Sequence, residues 1–400
     1  MKFLQSSLIL TLVTVGIFTM PQQVVGQNLN ESQLLHPTTD IWPTHNGDYS
    51  GRRHSILTQI NPTNVKDLAL AWAFQTNQTA TIKSSPLLVD GILYLTVPDN
   101  VWAVDARSGH MLWRYTYPPN KGDHIGQRGV AMYKGYIYFL GPDVHLLKLD
   151  AKDGKVIWNV VVADSAKGYW TTMAPLVIRN HIIVGVSGDM DNLPGIIRSI
   201  DADTGQSQWV WYATPPAGTP NTATGGPAWV TGTYDPDLNL TYWGTGNPTP
   251  VLQGSSRPGD NLYTCSIVAL DPDTGKLKWA FQPSPHDTHD WDAVETPILI
   301  DGTVAGKPRK LLAQASRNGY FFVLDRTDGK DILTTTFGPT NWALGIDKKG
   351  QPIPNPEKDP ARDGRLIAPE ESGMNNYRSS SFDPKTGLFI VDAHPSWSIY

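Results

Sequence analysis

Short apolar runs bounded by turn residues recur along the chain. Gly91-Ile92-Leu93-Tyr94-Leu95 and His181-Ile182-Ile183-Val184-Gly185 have the length and β-branched content of strands. One phrase then repeats. Ala103-Val104-Asp105-Ala106-Arg107-Ser108-Gly109 precedes Trp113, and Lys148-Leu149-Asp150-Ala151-Lys152-Asp153-Gly154 precedes Trp158. Ser199-Ile200-Asp201-Ala202-Asp203-Thr204-Gly205 precedes Trp209, and Ala269-Leu270-Asp271-Pro272-Asp273-Thr274-Gly275 precedes Trp279. Weaker copies begin at Val323 and Ser381. Each phrase reads as a strand, a tight turn in which Asp bonds back to amides and Gly takes a positive φ, and a second strand carrying Trp. The first five aspartates are spaced by 45, 51, 70 and 54 residues. A period near 40–50 residues predicts an all-β propeller of four-stranded blades, about five or six of them here. The long interval contains Tyr234 to Trp243, which reads as an extra hairpin flanked by long loops.

Asn61 to Leu68 predicts one short helical turn, and few helices are expected elsewhere, because 36 Gly and 32 Pro are scattered through the 400 residues. Only 17% of residues are charged and the net charge is −5, with no basic run. Nucleic acid is therefore not an expected partner. The single cysteine, Cys265, excludes both an intrachain disulfide and a CxxCH haem-attachment motif. Lys2, the apolar run Leu8 to Phe18 and Val24-Val25-Gly26 read as a signal peptide over residues 1–26, leaving 27–400 as an exported, periplasmic partial propeller. The apolar run is shorter than the roughly 20 residues a spanning helix needs.

Chemistry concentrates in Ser284-Pro285-His286-Asp287-Thr288-His289-Asp290-Trp291-Asp292-Ala293-Val294. In an extended segment Asp290 and Asp292 would share a side. Two such carboxylates could hold a hard cation, or one could hold it while the other takes a proton. A solvated loop with an Asx-turn is the plain alternative, and a zinc hydrolase site using His286 and His289 a third.

From about Trp42 onward the chain resembles the pyrroloquinoline-quinone (PQQ) dependent alcohol dehydrogenases, eight-bladed periplasmic quinoproteins. The matching phrases are Arg128-Gly129-Val130-Ala131, Gly244-Thr245-Gly246-Asn247-Pro248, Arg257-Pro258-Gly259-Asp260-Asn261, the His286–Asp292 cluster and Arg317-Asn318-Gly319-Tyr320. The resemblance implies PQQ and a Ca2+ or lanthanide ion as cofactors. By position it implies Asp290 as general base and Arg317 as the cation beside the reactive carbonyl. Trp229 matches the tryptophan under the quinone ring, and Arg128, Thr172, Ser187, Gly188 and Asn376 match further cofactor contacts. Asn247, Asp290 and Asp292 are the implied metal ligands, Asp292 being the extra carboxylate of the lanthanide-using branch.

Three positions depart from the family. Met190 occupies the place of a glutamate ligand, so Asp189 or Asp191 would have to serve instead. Gly122-Asp123 replaces an adjacent cysteine pair. Lys83 stands where some members have glutamate, and could pair with a cofactor carboxylate. The implied reaction is oxidation of a small alcohol, with electrons passing to a separate acceptor such as a periplasmic cytochrome c. The stop at Tyr400 without a closing strand suggests a C-terminally truncated member. The competing expectation is a non-catalytic periplasmic scaffold that keeps only the repeats.

Overall fold

A computed structural model describes residues 28–78, 81–118, 126–188, 192–215 and 223–400. The signal-peptide reading, Gly122-Asp123 and Asp189 to Asp191 lie outside the described residues. Five four-stranded antiparallel meanders follow one another along the chain. The first comprises Leu87–Val89, Ile92–Val97, Asn100–Asp105 and Met111–Thr116. The second comprises Ala131–Tyr133, Tyr136–Leu140, His145–Asp150 and Val156–Val161. The third runs Leu176–Ile178, His181–Val186, Ile196–Asp201 and Ser207–Tyr212. The fourth runs Thr233–Asp235, Leu240–Gly244, Ile267–Leu270 and Leu277–Phe281, and the fifth Ile298–Val304, Lys307–Ala315, Tyr320–Asp325 and Asp331–Thr336. A two-stranded pair, Ser381–Asp383 with Leu388–Ile390, carries the last copy of the phrase. The predicted helical turn is present as a 3-10 turn at Val65–Asp67.

The repeated phrase closes the third strand of each four-stranded sheet onto its fourth. In the first, Asp105 Oδ1 accepts from the amides of Arg107 (3.0 Å) and Ser108 (2.8 Å), while Gly109 N–H returns to the Asp105 carbonyl (2.9 Å). The register slips just before the aspartate in all five, at Ala103/Val104, Lys148/Leu149, Ser199/Ile200, Ala269/Leu270 and Val323/Leu324. That bulge admits the extra turn residue.

The tryptophans join sheet to sheet. Trp72 lies against Gly109, Trp113 against Gly154, Trp158 against Gly205, Trp209 against Gly275 and Trp279 against Gly329. An added Cβ at Gly275 would sit 2.5 Å from Trp209 Cε3, so only glycine leaves room for the indole. Four of these indoles also donate to the carbonyl one residue after the turn aspartate: Trp72 to Ala106 (3.2 Å), Trp113 to Ala151 (2.9 Å), Trp209 to Pro272 (2.7 Å) and Trp279 to Arg326 (3.1 Å). Trp158 does not; the equivalent Ala202 carbonyl accepts from Tyr138 Oη (3.0 Å) and Lys148 Nζ (2.9 Å), and the Trp158 Nε1 is buried without a partner.

One expectation is corrected. The hairpin Tyr234 to Trp243 is not extra; it supplies the first two strands of the fourth sheet. The added length lies between its second and third strands, in the loop between Gly244 and Ile267. Arg257 ties that loop down from a fully buried position, donating to the carbonyls of Pro250 (2.8 Å), Val251 (2.5 Å) and Asp287. The loop is thereby fastened to the acidic cluster.

Candidate active site

The acidic cluster is shaped by Asp287. Its carboxylate accepts from the amides of His289 (3.4 Å), Asp290 (3.0 Å) and Trp291 (3.3 Å), an Asx-type turn that holds Asp290 at φ +68°. The segment is therefore not extended. Asp290 and Asp292 nevertheless meet, because one guanidinium takes both. Arg317 Nη2 lies 3.2 Å from Asp290 Oδ2, and Arg317 Nη1 lies 2.9 Å from Asp292 Oδ2. Between them Trp291 turns the other way into the core, donating to the Glu370 carbonyl at 3.1 Å.

Asp292 is the hub. Its Oδ1 accepts from Asn247 N–H at 2.5 Å and its Oδ2 from Trp229 Nε1 at 2.8 Å. A Cβ at position 246 would lie 2.5 Å from Asp292 Oδ1, so Gly246 permits the approach. Arg317 also donates to the Glu371 carbonyl at 2.7 Å. The side chains of Asp292 and Arg317 are 4% and 6% exposed, whereas Asp290 keeps 26% of its side chain open. Asp290 is the more open of the two acids.

Electrostatics follow from the count of charges. Burial pushes the Asp290 carboxyl up, Asp292 pushes it further, and Arg317 opposes them, leaving it at about 8. The ion pair alone would lower it, but a single guanidinium shared by two carboxylates neutralises only one of them. Burial pulls Arg317 down, yet the two carboxylates more than offset this and hold it above its ordinary value.

Beside the hub, Arg128 is buried and donates through Nη1 to the Thr172 carbonyl (3.2 Å), to Thr172 Oγ1 and to the Trp229 carbonyl (3.4 Å). Its Cζ lies 4.8 Å from the centre of the Trp229 ring. Arg128, Thr172, Trp229, Asp292, Asn247, Arg317 and Asp290 thus form one connected set. Ser187 and Gly188 follow the third sheet's second strand, with Ser187 bridged to Trp170 through the backbone and its hydroxyl buried without a partner. Asn376 makes its hydrogen bonds locally: its amide donates to the Ser372 carbonyl (2.8 Å) and its Oδ1 accepts from Tyr377 N–H (2.8 Å). Its neighbour Tyr377 lies 6.2 Å from Trp229 between ring centres. Tyr377 was missed because the adjacent asparagines carry the more obvious chemistry. Glu295 was missed too; it is buried, and burial drives its carboxyl well above the ordinary range.

The histidines do not form a zinc site. His289 stacks on Trp291 at 4.4 Å and uses both ring nitrogens, with Thr288 Oγ1 (3.1 Å) and the Lys358 carbonyl (2.9 Å), while His286 Nδ1 bonds the Gly259 carbonyl (2.7 Å). Among the described residues no three His, Cys, Asp or Glu side chains converge as metal ligands. Two carboxylates remain, with Asn247 joined to one of them through its backbone N–H, and carboxylate oxygens suit a hard cation once further oxygens join them. The orphaned Nη2 of Arg128, whose guanidinium lies over the Trp229 ring, suits a flat anionic ligand. A cavity of about 510 Å3, lined by Asp260, Tyr263, Gln282, Lys330 and Lys348, touches none of the predicted site residues.

Comparison with known proteins points the same way. The quinohemoprotein alcohol dehydrogenase of Comamonas testosteroni is 40% identical over 89% of this chain and 54% of its own length. The lanthanide-dependent methanol dehydrogenase of Methylacidiphilum fumariolicum is 34% identical over 88% of this chain and 64% of its own. The chain therefore spans little more than half to two thirds of these relatives. A europium-containing methanol dehydrogenase structure superposes with a TM-score of 0.84 at 33% identity, covering 90% of this chain and 70% of that one. Residues 42–342 match the PQQ family described as the glucose/ethanol/alcohol dehydrogenase beta-propeller domain, and to that family this chain belongs.

Proposed function

We propose that this chain is the cofactor-holding part of a periplasmic quinoprotein that oxidises a small alcohol. The observation that carries this reading is the single guanidinium of Arg317 bridging a more open Asp290 and a buried Asp292 that is itself bonded to Trp229. As a scaffold element this cluster would be costly, because one guanidinium balances only one of two buried carboxyls and Asp290 must keep its proton up to about 8. As a site it is incomplete without a cation.

PQQ with a hard cation would supply a hydride acceptor with a polarised carbonyl. Arg128, Thr172, Ser187 and Gly188 would hold its polar edge, Trp229 its ring face, and Asn247, Asp290 and Asp292 the cation, with Asp189 as a further ligand. Asp290 accepts the hydroxyl proton of the alcohol. A neighbouring cation lowers a carboxylate's pKa, which ionises Asp290 at neutral pH and readies it as a base. Arg317 fixes the Asp290 carboxylate and places positive charge where negative charge develops. Electrons then pass to a separate acceptor such as a cytochrome c, in keeping with an exported protein; among the described residues no helix is long and apolar enough to cross a membrane.

Metal analysis and absorption spectroscopy on one purified, reconstituted sample test the reading. One quinone and one calcium or lanthanide ion per chain are expected. Saturating PQQ and cation that leave the protein unloaded would favour the scaffold.

A further inference from the structure

Two residues of the acidic segment stand in the left-handed backbone region, His286 at φ +49° and Asp290 at φ +68°. Side chains there are unfavourable and persist where surrounding contacts over-determine them. The Asp287 carboxylate supplies part of that determination by accepting the His289, Asp290 and Trp291 amides. The rest comes from the loop between Gly244 and Ile267, which grips the segment on both sides of Asp290. Ahead of it, Gln282 Nε2 donates to the carbonyls of Asp260 (2.7 Å) and Thr264 (3.0 Å). His286 N–H donates to the Asp260 carbonyl (3.3 Å), and His286 Nδ1 bonds the Gly259 carbonyl (2.7 Å). Behind it, Asn247 N–H reaches Asp292 Oδ1 (2.5 Å) and Ala293 N–H donates to the Thr245 carbonyl (3.0 Å).

Arg257 fastens the first of these grips. It is fully buried and spends one guanidinium on loop and turn together. Nε donates to the Pro250 carbonyl (2.8 Å), Nη1 to Asn261 Oδ1, and Nη2 to the carbonyls of Val251 (2.5 Å) and Asp287. A single rigid fork thus ties three parts of the loop to the residue that begins the turn. Lysine would keep the charge, but its lone ammonium cannot serve these separate directions at once.

We propose that Arg257 is a positioning residue for alcohol oxidation: through the Asp287 carbonyl it holds the turn that presents Asp290, and the loop acts as a two-ended clamp on the base. The proposal rests on the reading of Asp290 as the base. Loss of Arg257 then slows proton acceptance while quinone and alcohol remain bound.

Single-turnover reduction of PQQ bound with lanthanum, started by anaerobic mixing with a primary alcohol, tests it. Arg257→Lys should bind PQQ within about twofold of wild type and keep its half-saturating alcohol concentration, yet reduce the quinone about tenfold or more slowly. That loss should vanish when Asp290→Asn is already present, since Arg257 acts through Asp290. Terbium in place of lanthanum gives a signature independent of turnover: emission lifetimes in light and heavy water should show about one more coordinated water in Arg257→Lys, as Asp290 leaves the ion. Gly254→Ala disturbs the same joint from the loop side, because an added Cβ would lie 2.6 Å from His286 Nε2 and 2.8 Å from Thr288 Cγ2. It should slow reduction likewise with PQQ still bound, and it decides the matter if circular dichroism finds Arg257→Lys unfolded. Wild-type reduction rates in folded Arg257→Lys or in Gly254→Ala, or the same fold-loss with and without Asp290→Asn, overturn the clamp and leave the PQQ reading standing. A wild type that binds PQQ but does not reduce it in alcohol overturns the reading of Asp290 and the clamp with it.

Discussion

Asp290 is poised between two charge states, and its neighbours decide which one holds. Without a cation its carboxyl sits near 8, raised first by burial and then by Asp292. A folded pKa above the unfolded value of about 3.9 means that the folded state holds the proton more tightly. Its stabilising contribution is complete below pH 4 and is lost as pH rises through about 8. His45 and His289, both lowered by burial, act in the opposite sense below pH 6.5, so the comparison must be made against a variant. Thermal melts of metal-free wild type and Asp290→Asn between pH 6.5 and 9 should show the wild type losing ground to the variant as pH rises. Adding lanthanum should abolish that loss, because the cation keeps Asp290 ionised. A wild-type advantage that is constant or grows with pH would mean that Arg317, not burial and Asp292, governs Asp290.

At the scale of elements, the indole-on-glycine contacts join consecutive sheets, and their contribution can be separated from backbone strain. Gly275 has φ +68° and faces Trp209, whereas Gly306 has φ +77° with nothing within 4 Å of an added Cβ. Gly306→Ala should cost about 1–2 kcal/mol, the ordinary price of a side chain in the left-handed region. Gly275→Ala adds displacement of the indole, about 1–3 kcal/mol more. Denaturant melts of the two variants check this, and equal losses would remove the contact as a source of stability. The turn phrase was legible in the sequence because Asp, Gly and Trp recur together at short spacing, although each Trp docks on the glycine of the following phrase. The hairpin at Tyr234 was misread because its third strand arrives only at Ile267, beyond a long loop that no local signal assigns to the same sheet. Alternation in an extended strand would put Asp290 and Asp292 on one side, and the two do meet on one guanidinium, though not by that route. The structure instead uses the Asp287 turn and a shared Arg317, and a contact 27 residues away along the chain leaves no periodic trace.

At the scale of the whole molecule, separate sheets and their connections deliver the groups that meet around Asp292 and Arg317. Arg128 precedes the second sheet, Thr172 precedes the third, and Asn247 lies in the long loop of the fourth. Asp290 and Asp292 come from the connection between the fourth and fifth, and Arg317 from a turn within the fifth. A rigid sequence of sheets holds groups from distant parts of the chain within hydrogen-bonding distance, which loops alone would not do. Family phrases identified most of these groups, whereas Tyr377 and Glu295 belong to no phrase and emerge only when the sheets are assembled. The account stands on Asp290 as the base beside a bound quinone. Single-turnover reduction tests it most directly: protein loaded with PQQ and lanthanum is mixed anaerobically with a primary alcohol, and the quinone absorbance is followed. Wild type should lose the quinone band, and Asp290→Asn should bind the quinone yet reduce it about 10²-fold or more slowly, the usual contribution of a general base. Equal reduction rates in the two proteins would contradict the account.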